Sequence, residues 1–202
     1  MDKRAIVMDA ERFVKKHLDK EGSGHDWLHI ERVRKLALKL AEETEADAFI
    51  VELAALFHDL SDRKLADDKR MSRLEVEDML IALSVSENDR SQIMHIIDTI
   101  SFKGTGRTVP ETIEGKIVQD ADRLDAMGAI GIARTFVYAG SRGTPIYDPG
   151  EQTKGDSAIQ HFYDKLLKLK GLMNTEAGKM KAEERHRFME LYLDTFYKEC
   201  ER

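Results

Sequence analysis

The chain has 202 residues, of which 42% are hydrophobic and 35% charged, which fits one soluble globular domain, or at most two small ones, long enough to bury a sizeable core. A formal net charge of −6 argues against a general nucleic-acid binder, which needs a basic face, but allows a local positive pocket for a small phosphorylated molecule. A single cysteine, Cys200, excludes an internal disulfide framework, the start Met1-Asp2-Lys3-Arg4 is not an apolar signal core, and no apolar run reaches membrane-spanning length, so the reading is a cytoplasmic protein.

From residue 2 to about 20 the apolar positions Ile6, Val7, Ala10, Phe13, Val14 and Leu18 have helical spacing. A break at Gly22-Ser23-Gly24 precedes His25-Asp26-Trp27-Leu28-His29, in which Asp26 is placed to cap a helix running to about Glu45. Asp47 caps the next helix, expected from Phe49 through Leu60. A polar loop follows to about Arg70, and the capping-box pattern Ser72-Arg73-Leu74-Glu75 opens a helix through Leu83. Another helix starts at Ser86 and carries Ile93, Met94, Ile96, Ile97 and Ile100. Residues 101–110 read as a loop with two cations, and one long helix is expected from about Glu111 to about Tyr138, with Gly128 and Gly131 inside it. These glycines cost helix propensity and permit close helix packing. A Gly/Pro loop spans 139–155, and two helices, about 156–172 and 175–199, close the chain. No segment shows sustained strand alternation. The fold expected is all-α: a compact single-domain bundle of about eight helices covering residues 1–202.

The chemistry centres on Leu53-Ala54-Ala55-Leu56-Phe57-His58-Asp59-Leu60, an apolar run into which an imidazole and a carboxylate are set side by side. An ionised Asp in such surroundings is costly unless paired. A divalent metal satisfies both groups; so, more simply, do each other and nearby backbone groups. Adjacent helix residues point about 100° apart, so this pair supplies at most two neighbouring corners of a coordination sphere. His29 at a helix start and Asp122 in an apolar-flanked segment are the further candidates. Two imidazoles and two carboxylates suit one divalent ion, Mn, Fe, Co, Ni, Mg or Zn. An octahedral ion so held keeps two positions for water or substrate oxygen, as hydrolysis requires.

The order His29, His58-Asp59, Asp122 resembles the signature of the HD superfamily of metal-dependent phosphohydrolases, and most nearly a group of small stand-alone bacterial HD hydrolases. The stretches that carry the resemblance are Gly24 to His29, Leu53 to Lys64, Ile100 to Gly104, Gln119 to Gly131 and Ala158 to Asn174, which together span nearly the whole chain. The resemblance implies an HD core over about 22–130, with C-terminal helices over about 156–200. It also implies that His29, His58, Asp59 and Asp122 hold one metal.

Around that metal, Asp62 lies three residues past Asp59 and four past His58, one helical turn away, and related enzymes often carry an acidic residue at this offset. Asp67 stands where related enzymes hold a proton donor, in a loop whose length differs from theirs; a solvated loop residue is the alternative. Lys64, Lys103 and Arg123 could donate charge-assisted hydrogen bonds to phosphate, although Arg123 could equally pair with Asp120 or Asp125. His161, Lys165 and Lys168 fall on one helical face at i, i+4, i+7, facing either substrate or solvent. His95 contacts substrate or a metal-bound water, or is a satisfied core histidine. Two-metal HD enzymes have two histidines in the interval where this chain has only His95, so one ion is expected. His25 and Asp26 shape and cap the first ligand's helix, with His25 a candidate behind the ligands. His17 and His186 sit in charged runs and receive no role.

The function implied is hydrolysis of a phosphoester or phosphoanhydride bond by metal-activated water. A nucleotide is the favoured substrate, because the superfamily acts largely on nucleotides and Trp27 with loop aromatics could face a base. The alternatives are a non-catalytic metal- or nucleotide-sensing module and a di-iron HD-type oxygenase. Neither a nucleic-acid polymer nor a membrane is expected as partner, and the oligomeric state is not legible.

Overall fold

Helices begin in this chain where short polar side chains can take up the orphan amides of a first turn. Asp26 accepts from the His29 N–H at 2.8 Å and Asp47 from the Phe49 N–H at 2.8 Å. Ser72 and Glu75 form a reciprocal capping box, and Ser157 and Thr175 cap the helices that follow them. The structure, a computed structural model, describes residues 2–19, 26–62, 65, 68–100, 108–149 and 157–200. Among them lie α1 (Lys3–His17), α2 (Trp27–Ala41), α3 (Ala48–Phe57), α4 (Arg73–Ala82), α5 (Glu87–Ile100), α6 (Ile113–Asp125), α7 (Gly128–Ser141), α8 (Ala158–Asp164), a 3-10 helix (Leu166–Leu172) and α9 (Glu176–Glu199), with no strand. The all-α class read from the sequence stands.

The chain divides into two compact units, Met1–Ala121 and Asp122–Arg202, with the division inside α6. In the first, α3 is the centre. Its residues Phe49, Ile50, Val51, Leu53, Ala54, Ala55, Leu56 and Phe57 are all buried, because α1, α2 and α5 pack around it. A helix apolar on nearly every side has no other stable place, since each fully buried Leu, Ile or Phe contributes about 1.5–3 kcal/mol. The polar exception, Glu52, pairs with Arg34 of α2 at 2.6 Å, and Arg34 also reaches Glu11 of α1 at 2.7 Å. Burial alone would lower the proton affinity of Arg34, but the two carboxylates outweigh it and raise its pKa.

In the second unit, α9 packs against α7 and the 3-10 helix, and α8 packs against the 3-10 helix and α7. Phe136, Phe162, Tyr192 and Phe196 interlock there with ring centroids about 6 Å apart.

Three expectations about elements are corrected. The single helix expected from Glu111 to Tyr138 is two, α6 and α7, broken at Ala126-Met127. Gly128 takes φ +68°, which favours glycine, and a Cβ on Gly131 would stand 2.2 Å from the Ala126 carbonyl oxygen. The helix expected over 156–172 ends at Asp164; Lys165 leaves α geometry at φ −134° and a 3-10 helix follows, so His161, Lys165 and Lys168 do not share one α-helical face. Finally, α3 ends at Phe57, not Leu60, which sets His58 at the C-cap and Asp59 in the turn beyond.

Candidate metal centre

The end of α3 leaves carbonyls without helical amide partners. One of them, Ala55 O, lies 2.8 Å from the His58 Nδ1. A carbonyl only accepts, so Nδ1 carries a proton and donates it, which leaves Nε2 as the nitrogen that can offer a lone pair to an ion. The sequence therefore turns a helix-end defect into an oriented ligand. His29 reaches the same place from the first turn of α2, whose entry Asp26 fixes. Asp59 completes the group from the turn after α3.

His29 Nε2 stands 3.0 Å from one oxygen of Asp59, and His58 Nε2 stands 3.4 Å from the other. The two imidazoles lie 5.4 Å apart, tilted by 59°. The three ligand atoms fall within 4.8 Å of one another, and all three residues are buried, His29 completely. Adjacent donors on an ion with bonds of about 2.1 Å are about 3.0 Å apart in octahedral and about 3.4 Å apart in tetrahedral geometry. The donor set, burial, fixed tautomer and spacing all fit one divalent ion. Among the described residues this is the group of this kind.

The other expected residues have various placements. Asp122 is half-buried on α6, just past the end of the first unit. Asp62, half-buried, lies in a run of i→i+3 turns: Leu60 N–H donates to Phe57 O at 3.3 Å and Asp62 N–H to Asp59 O at 2.9 Å. It thus follows the ligands on a tight turn, not on a continuing α-helix. His95 is exposed on α5, which overturns the core-histidine alternative. Arg123 donates from Nη1 to the Leu172 carbonyl. Asp125, one of its two alternative carboxylate partners, pairs with Arg134 at 2.6 Å. His161 is exposed and Lys165 half-buried. Trp27 is half-buried with the Lys15 ammonium 5.6 Å from its ring, and Tyr147 packs edge-on against Phe196 and Tyr197 of α9. His25, Lys64, Asp67 and Lys103 lie outside the described residues.

Two features escaped the sequence reading. Asp120, which the sequence offers only as a partner for Arg123, is completely buried on α6. Its signal was present: it falls on the helical stripe of Ile113, Ile117 and Leu124. The set of buried Asp125 with half-buried Arg134 and Arg185 has no local signal, because Arg185 arrives from α9.

An all-helical architecture with an adjacent His-Asp pair at a helix end defines a class, and the chain belongs to the HD domain family, whose profile matches residues 27–127. Bacillus subtilis YpgQ is 49% identical over 179 residues, which cover 88% of this chain and 85% of YpgQ. The crystal structure of Bacillus subtilis YpgQ in complex with ADP superposes with a TM-score of 0.86 at 43% identity, covering 98% of this chain and 97% of that one. An HD-superfamily hydrolase from Bacillus thuringiensis superposes with a TM-score of 0.82 at 46% identity, covering 98% of both chains. Among the described residues no helix is long and apolar enough to cross a membrane.

Proposed function

We propose that this protein is a metal-dependent phosphohydrolase that cleaves a phosphoester or phosphoanhydride bond of a small phosphorylated substrate, with a nucleotide as the favoured class. The observation that carries the reading is the buried His29–His58–Asp59 group at the end of α3 in a chain of the HD domain family. Nucleotide as substrate is supported by the ADP complex of YpgQ. Residues 1–202 act as one functional domain in this reading; the family match runs across the boundary between the two units, and the aligned structures cover nearly the whole chain. A cytoplasmic setting belongs to the same proposal and rests on the single cysteine.

His29, His58 and Asp59 would hold the ion, with Asp122 as the proposed fourth ligand. The chemistry such an ion supplies when bound is a water of lowered pKa and a polarised phosphoryl oxygen. His58 keeps its ligand nitrogen aimed through the bond to Ala55 O. Asp62 takes up the proton of the attacking water on a carboxylate oxygen. Asp67 is the proposed donor to the leaving oxygen. Lys64, Lys103, Arg123, His95, His161 and Lys165 are the proposed contacts to phosphate and the rest of the substrate.

A phosphate-release screen tests this. Metal-stripped protein receives Mn, Co, Ni or Mg and is offered nucleoside mono-, di- and triphosphates, with His58→Ala alongside and phosphate and pyrophosphate measured separately. The expected outcome is metal-dependent release that His58→Ala abolishes. Silence across the panel with metal firmly bound overturns the nucleotide reading, and absorbance and iron content then test the di-iron alternative.

A further inference from the structure

His17 closes α1 in a run of lysines that, as sequence, gives it no task. In the fold its imidazole is half-buried, and Nε2 lies 2.7 Å from the carbonyl oxygen of Lys69, 52 residues away. Since a carbonyl only accepts, Nε2 carries the proton and donates it. The ring also stacks on Phe13, one turn back, with centroids 5.6 Å apart and planes 22° apart. Phe13 stacks in turn on Phe57, at 6.3 Å and 15°. Phe57 is the last residue of α3, immediately before the ligand His58.

The segment gripped by His17 departs from the same point. Leu60, directly after Asp59, accepts on its carbonyl from the Met71 N–H at 2.8 Å, so the chain leaves and returns at one place. Between these ends Leu65, 3% exposed, is set into the core, and its N–H donates to Asp62 O at 3.2 Å. The backbone bond from Met71 closes the segment on itself. The bond from His17 ties Lys69 to α1. The donor is itself held by an aromatic stack that ends beside the metal ligand.

We propose that His17 is a positioning residue: by docking the Lys69 carbonyl on α1 it holds Met71 on the Leu60 carbonyl, and with Leu60 the neighbouring Asp62, in register with the His58–Asp59 turn. The role of Asp62 in this proposal rests on the phosphohydrolase reading above; the docking itself does not.

Two variants separate the contributions. His17→Phe keeps the ring stack and removes the donor, whereas His17→Gln keeps a donor near Nε2. In the metal-free full-length protein, hydrogen exchange of the Asp62, Leu65 and Met71 amides is expected to quicken about fivefold in His17→Phe, the factor that about 1 kcal/mol makes in a local equilibrium. It is expected to stay near the unaltered rate in His17→Gln, with the α3 amides unchanged in both. Metal stoichiometry is expected to be retained, and kcat on the substrate found in the release screen to fall about fivefold or more in His17→Phe, with KM little changed and His17→Gln restoring kcat. Unchanged exchange in His17→Phe overturns the docking. Quickening that extends over α3 overturns it too and marks His17 as a residue of general stability. Selective quickening with unaltered kcat overturns the positioning role. Absence of hydrolysis by the unaltered protein counts against the phosphohydrolase reading alone, while the exchange results still decide the docking.

Discussion

Asp59 of the first unit and Asp125 of the second are both buried, and they are kept in different company. In the second unit Asp125, 3% exposed, meets the Arg134 guanidinium at 2.6 Å and feels Arg185, which donates to the Leu124 carbonyl. Burial pulls the proton affinity of Arg185 below its ordinary value and Asp125 opposes it, but a guanidinium still keeps its charge. That set is balanced by the protein's own groups. In the first unit Asp59 meets two imidazoles, of which His58 is held by Ala55 O in the tautomer that offers a lone pair at Nε2. Lone pairs from two rings and a carboxylate, converging within 4.8 Å, match what a cation requires. The lesson is that burial of an acid marks a site only when its neighbours are donors of electron pairs, not donors of charge.

The sharpest way to break the comparison is to remove each carboxylate. Asp59→Ala is expected to lose bound metal, measured by elemental analysis, and to lower turnover by about 10³-fold or more. If Asp59→Ala keeps full metal content, the site is misassigned. Asp62→Asn is expected to keep the metal and lose about 10²- to 10⁴-fold in kcat; normal turnover with metal bound would remove Asp62 from proton transfer. Asp125→Ala is expected to leave metal content unaltered and to cost about 2–4 kcal/mol in denaturant unfolding, because it removes a buried carboxylate that meets the half-buried Arg134 and Arg185 guanidinium groups. A drop in metal content in Asp125→Ala with the fold intact would erase the distinction drawn here.

Gly131→Ala sharpens the second unit. Its Cβ would meet the backbone carbonyl of Ala126 at 2.2 Å, which no side-chain rearrangement relieves, so a loss of about 2 kcal/mol is expected. The smallest effect concerns the N-terminus of α3. The pKa of Asp47 is lowered, because amide bonds from Phe49 and Ile50 and the ammonium of Lys3 outweigh the opposing effect of burial. A lowered folded pKa means that its contribution is present above the unfolded value of about 3.9 and fades as pH falls through the folded value. Asp47→Ala is therefore expected to cost about 1 kcal/mol near neutrality, mostly the lost cap since the Lys3 pair is exposed, and progressively less in acid. A difference that grows on acidification would show the sign to be wrong.

Much of the fold was written locally. Asp26, Asp47, Ser72 and Ser157 announce helix starts through side-chain oxygens that reach their own next turn, so no distant partner is needed. The apolar run through Phe57 likewise makes α3 central wherever the other helices lie, and the order of His29, His58-Asp59 and Asp122 points to the family. The helix break at Ala126-Met127 was less legible, because Gly128 and Gly131 signal weak helix without saying whether the chain packs or turns. Likewise, nothing in the sequence ends α8 at Asp164.

What the sequence by itself determined is therefore the all-helical class and the caps, and it offered His29, His58 and Asp59 as candidate ligands, all through residue type and short spacing. Only the tertiary structure decided that His29 meets Asp59, that Asp125 pairs with Arg134, and that His17 is bonded to Lys69. Each of these contacts joins residues from different elements, and its geometry follows from helix packing, to which neighbouring sequence is blind.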